Sequence, residues 1–128
     1  MSPSPSDTVE RLINGPAVEV HTDDTLTRIA ELMVEDSIGL VVVRGEQPLV
    51  GVVSERDIVR AVAEGADLES DRAGDVMALE TVSVACDATI AEAAQMMIDG
   101  GMRHLPVLKD DRVVGVVSIR DLLAAHVD

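Results

Sequence analysis

Two short runs hold the side chains best placed for chemistry: Gly51-Val-Val-Ser54-Glu55-Arg56-Asp57, and Gly115-Val-Val-Ser118-Ile119-Arg120-Asp121 at an offset of 64 residues. In each, a valine-rich strand pattern runs into Ser-x-x-Asp, the spacing that caps a helix where a strand turns into it. The arginine between them is out of place in a simple cap. A cation in the first turn opposes the helix dipole by some tenths of a kcal/mol. It is better explained by an anion, because helix N-terminal amides and a guanidinium together hold phosphate oxygens. An aspartate beside a phosphate subsite suits a pair of sugar hydroxyls, the role an acidic residue plays in dinucleotide-binding folds. Ser54, Arg56 and Asp57, with Ser118, Arg120 and Asp121, are therefore candidate ligand residues as well as candidate caps. Gly51 and Gly115 either admit close backbone approach or relieve a bend after a hairpin.

The elements that position these residues repeat with them. The 64-residue offset aligns 16–64 with 80–128 without a gap, matching Val18 to Val82, Asp23 to Asp87 and Met33 to Met97, which marks an internal duplication. Each copy opens with a short strand pattern, Ala17–Val20 or Thr81–Val84, followed by Asp/Thr cap residues. Leu26, Ile29, Ala30 and Met33, and later Ala93, Met96 and Met97, form apolar stripes at helical spacing. Thr89-Ile-Ala-Glu92 has the spacing of a capping box. The runs Leu40–Arg44 with Leu49–Ser54, and His104–Leu108 with Val113–Val117, predict hairpins across Gly45–Pro48 and Lys109–Asp111. A second helix then starts at each Ser-x-x-Asp. The predicted class is α+β, two β-α-β-β-α repeats related by a pseudo-two-fold. The divisions are a disordered Ser/Pro tail at 1–7, repeat one at 8–64, a connector at 65–74 and repeat two at 75–128.

Composition narrows the function. The chain has 128 residues, 47% of them hydrophobic, with no Phe, Tyr or Trp, so a bound base would be gripped by aliphatic side chains rather than stacked on a ring. A formal charge of −14, from 24 acidic against 10 basic residues, repels phosphate backbones and argues against nucleic acid as a partner. Acidity of this degree serves solubility or suits a high-salt cytoplasm. The one cysteine, Cys86, has no internal disulfide partner. MSPSPSD lacks the apolar core of a signal peptide, and no apolar run is long enough to cross a bilayer. The expectation is a cytoplasmic protein without membrane contact. No nucleophile with a placed base, no metal-ligand cluster and no Walker-type loop is apparent, so catalysis is not expected. His21 and His126 read as solvated, and Met33, Met96, Met97 and Met102 as core or dimer contacts.

Taken together, the paired repeats resemble the cystathionine-β-synthase (CBS) domain family. Copy two carries most of the pattern: Asp75-Val-Met77, Asp87-Ala-Thr-Ile with Glu92-Ala-Ala, Arg103-His104-Leu105-Pro106-Val107, and Gly115-Val-Val-Ser-Ile-Arg-Asp-Leu122. The resemblance implies a CBS pair, or Bateman module. Such a module is a non-catalytic sensor binding AMP, ADP, ATP or S-adenosylmethionine in clefts between the repeats, signalling to a protein partner and requiring no cofactor. By that analogy Asp57 and Asp121 hold ribose hydroxyls, and Ser54 and Ser118 contact ribose or phosphate. Arg56, Arg120, Arg103 and His104 take phosphate, and the base lies near Thr81, Val82, Leu105 and Pro106. Short CBS pairs that form disc-like dimers imply a homodimer here. Copy one departs from the pattern with Arg11-Leu12-Ile13 and Gly39-Leu40-Val41-Val42, which points to the Ser118–Asp121 site as the one occupied first. The alternative is a structural dimerisation module in which both motifs are only caps.

Overall fold

The computed structural model describes residues 3–13, 15–46, 50–78 and 82–126. Its architecture is the mixed α+β arrangement the sequence predicts, resolved into two compact units: residues 18–81, and residues 1–17 with 82–128.

In the first unit, β1 (Glu19–His21) pairs in parallel with β2 (Leu40–Arg44) through the crossover helix α1 (Leu26–Asp36), and β2 pairs antiparallel with β3 (Gly51–Ser54). Helix α2 (Glu55–Ala63) follows β3 without an intervening loop, and a short helix α3 (Ala73–Val76) closes the unit. The second unit repeats the plan with β4 (Val84–Ala85), α4 (Ile90–Gly100), β5 (His104–Lys109), β6 (Arg112–Ser118) and α5 (Ile119–His126). A 3-10 turn, Val9–Leu12, stands where α3 stands in the first.

The first strand of each copy begins two or three residues later than the sequence pattern indicates, because pairing starts only where the parallel partner is in register, Glu19 opposite Val42 and Val84 opposite Val107. The β5–β6 hairpin turns through Asp110 and Asp111, both at positive φ (51° and 63°), the conformation a two-residue primed turn requires. Of the other predicted turn, Gln47 and Pro48 lie outside the described residues, as does Leu49.

The cores use equivalent positions. Val20, Leu26, Ile29, Met33, Val41, Val43 and Val53 form one, and Val84, Ile90, Ala93, Met97, Leu105, Val107 and Val117 form the other. Where copy one has Ile29 with Val41, copy two has Ala93 with Leu105. The strand position gains one side-chain carbon while the helix position loses three, so this pair fills less volume in copy two than in copy one. Met96 and Met102 pack partly buried on the second core.

Chain order and packing order differ. The segment leading into copy one in sequence packs with copy two, and the segment leading into copy two packs with copy one. The amides of Ala73 and Gly74 donate to the carbonyls of Asp24 and Thr22 at 2.8 and 2.9 Å, and those of Val9 and Glu10 donate to Ala88 and Cys86 at 2.8 and 3.3 Å. Each segment also serves the first turn of the crossover helix, whose amides have no intrahelical acceptor. Leu26 and Thr27 donate to Asp71 and Leu68, and Ile90 and Ala91 donate to Asp7 and Pro5. Residues 3–7, expected to lack order, thus form a hydrogen-bonded turn. The turn itself closes locally between Ser4 and Asp7, but its anchors at Ile90 and Ala91 lie more than eighty residues away in sequence, where the Ser/Pro composition gives no sign of them.

Candidate functional site

Each β-hairpin delivers its last strand directly into a helix, and the Ser-x-x-Asp sequence sits at that corner. In the first unit the Ser54 amide donates to Asp57 Oδ2 at 2.9 Å, and the Asp57 amide donates to Ser54 Oγ at 3.1 Å. In the second, Ser118 and Asp121 make the same two bonds at 2.9 and 3.2 Å. Both motifs are therefore helix caps. A capping box uses only one carboxylate oxygen, which leaves Oδ1 of each aspartate for something else.

The two corners differ in what stands around that oxygen. Asp57 Oδ1 lies 3.5 Å from Arg60 Nη1, one turn on in α2. The equivalent position in α5 is Ala124, and Asp121 makes no bond beyond the capping box among the described residues. The first amide of each helix is tied to the strand entering the hairpin, Glu55 to the Gly39 carbonyl at 3.0 Å and Ile119 to the Arg103 carbonyl at 2.8 Å. Arg103 is thereby held against the start of α5, and His104 lies opposite Ser118 in the β5–β6 register. At the first corner the corresponding residues are Gly39 and Leu40, with Leu40 buried.

Arg56, Arg103 and Arg120 are exposed and take part in no ion pair among the described residues. In a chain with 24 carboxylates, guanidiniums left unpaired at both motif corners form positive sites in a negative field. Such an arrangement can accept a small anion that a surface of this charge otherwise repels.

Of the residues expected around a base, Leu105 is fully buried in its own core and Pro106 is buried beside it. Both residues pair with β6, Leu105 opposite Val117 and Pro106 opposite Val116, so the Leu105 side chain belongs to the core. Val82 is at the exposed margin two residues before β4, and Thr81 lies outside the described residues.

The motif glycines have a packing role that sequence reasoning missed. A Cβ on Gly51 would stand 2.6 Å from the Ala78 carbonyl and 2.9 Å from Met77 sulfur, and one on Gly115 would stand 2.5 Å from Ile13. The room each glycine leaves is filled by the incoming segment. Ile13 and Met77 occupy equivalent repeat positions, which is the signal that could have exposed the relation. Ala78 also pairs with Val52 as an isolated antiparallel bridge on β3.

A groove of about 360 Å³ in the first unit is lined by Asp57, Glu64, Asp71 and Asp75 around Arg60. Among the described residues no group of three or more His, Cys, Asp or Glu side chains is arranged to hold a metal ion, and no helix is long and apolar enough to cross a membrane.

The mitochondrial CBS domain-containing protein CBSX3 of Arabidopsis thaliana is 38% identical over 112 residues, covering 83% of this chain and 54% of that protein. The chain spans 53–63% of the length of the first curated relatives it matches. The solved CBS domain NE2398 superposes with a TM-score of 0.86 at 28% identity, covering 91% of this chain and 94% of its own. CBS domain protein PAE2072 of Pyrobaculum aerophilum, solved in complex with AMP, superposes with a TM-score of 0.83 at 32% identity, covering 89% and 88%. The family model of the CBS domain matches residues 9–64 and again residues 73–128, so with two such copies in tandem this chain belongs to the CBS domain family.

Proposed function

We propose that this CBS pair is a regulatory module that binds an adenosyl ligand, AMP foremost, at the Ser118–Asp121 corner and passes the occupancy on to a protein partner. The observation that carries the reading is that Arg103, whose carbonyl accepts the first amide of α5, and Arg120, in its first turn, have no ion pair among the described residues at a corner whose carboxylate keeps its second oxygen unengaged. Phosphate oxygens suit the two guanidiniums and ribose hydroxyls the carboxylate. The AMP-bound relative, at 32% identity over most of both chains, favours AMP over other adenosyl ligands. Ser118 contributes its hydroxyl while capping, and the backbone of Leu105 and Pro106 reads the edge of the base. Signalling then requires only that the ligand favour one of two states of the module.

The module acts as a homodimer in this reading. Val34 and Ile98 are equivalent in the two copies, as are Val59 and Leu123, and all four are exposed on α1, α4, α2 and α5. Duplicated exposed aliphatics on paired helices suit an isologous contact with a second copy.

Thermal melts followed by circular dichroism, with AMP, ADP, ATP, S-adenosylmethionine and adenosine at about 1 mM each, test the ligand class. A ligand present at about 100 times its Kd adds roughly 2.7 kcal/mol, several degrees in a domain of this size. A selective rise with AMP is expected. No rise with any of the five would leave the motifs as caps and the protein as a structural dimerisation module.

A further inference from the structure

The two copies make the same capping bonds, yet they differ in what reaches the second oxygen of the capping aspartate. Arg60, three positions after Asp57, reaches back to Asp57 Oδ1, whereas Ala124 at the equivalent place has nothing with which to reach. We propose that Arg60 is an internal occupant of the first corner, satisfying with the chain's own guanidinium the acceptor that a ligand's hydroxyls would otherwise use. The two corners are then unequal binding sites by construction. This inference rests on the ligand reading above and deepens it.

The surroundings act in the same direction. Asp57 is largely shielded, its side chain 17% exposed, while Arg60 is 60% exposed, so the carboxylate is fixed and the arginine is the movable partner. An i,i+3 pair of this kind biases the equilibrium by a factor of about two to five. For a neutral nucleoside, that factor is what Arg60 itself contributes to the handicap of the first corner. For a phosphorylated ligand the handicap is larger. Glu55 stands where the second copy has Ile119, Gly39 and Leu40 stand where it has Arg103 and His104, and the groove around Arg60 presents Glu64, Asp71 and Asp75.

The test is a per-site titration by 15N amide shifts of the full chain with adenosine and with AMP, reading Asp57 and Asp121 separately. In the unsubstituted protein the Asp121 amide saturates at lower concentration with both ligands, by the larger margin with AMP. Arg60→Ala is expected to tighten adenosine at the Asp57 corner about two- to fivefold and leave the Asp121 corner unchanged. Ala124→Arg, on an exposed helix position, is expected to weaken adenosine at the Asp121 corner by a similar factor. Equal affinities at the two corners, or an Arg60→Ala protein whose first corner is unchanged or weaker, overturn the inference while leaving the ligand reading intact. Failure of both ligands to shift either amide overturns the ligand reading itself.

Discussion

Asp121 has two oxygens facing different tasks. Oδ2 accepts the Ser118 amide, and Oδ1 has no partner among the described residues, so a cap and a ligand contact do not compete for the same atom. The sequence alone poses these as alternatives because Ser-x-x-Asp spacing specifies the cap and is silent about the second oxygen. Arg120 is different, since it contributes nothing to the cap and is exposed without an ion pair. Arg120→Ala should leave the melting midpoint unchanged or slightly raised, because it removes a first-turn cation opposed by the helix dipole. The same variant should weaken AMP more than adenosine in parallel titrations. An equal loss for the two ligands would show that Arg120 does not read the phosphate.

At the scale of elements, the hairpins, the capping boxes and the helices that begin at Ser54 and Ser118 were legible, because each rests on contacts within a few residues. The exchanged lead-in segments were not. Their amides and carbonyls pair with residues of the other copy's helix and strand, and no local pattern in 3–13 or 66–78 reports a distant acceptor. The motif glycines follow from the same cause. Read locally, Gly51 suits either a bend or a ligand, and only the packing of Met77 and Ala78 against it decides for neither. Gly51→Ala should therefore be destabilising by about 1–3 kcal/mol, the usual cost of overpacking, since the obstructing Ala78 oxygen belongs to the backbone. Urea denaturation checks this. Gly115→Ala meets the Ile13 side chain instead, so pairing it with Ile13→Ala should recover part of its loss, whereas Met77→Ala should recover less for Gly51→Ala. Full stability of Gly51→Ala would mean that the lead-in does not sit on β3.

The whole molecule carries a charge of −14, with exposed aliphatic residues at duplicated helix positions. In the proposed dimer two such chains repel at long range and attract at contact, and added salt screens the first effect far more than the second. Sedimentation should show a dimer strengthened between low and moderate salt, and Leu123→Glu, at a position 58% exposed, should shift the population to monomer without lowering helix content. A dimer unaffected by Leu123→Glu would place the interface elsewhere. Function at this scale depends on whether the Ser118–Asp121 corner takes a ligand at all. Asp121→Asn isolates that question, because the amide oxygen still accepts the Ser118 N–H while the free acceptor becomes a donor. Calorimetric titration of AMP into the unsubstituted protein and into Asp121→Asn is the most direct measurement. Saturable binding that weakens by about ten- to a hundredfold in the variant is expected from losing a hydrogen bond to a charged group; AMP binding equally to both proteins would contradict the assignment of Asp121 to the ligand.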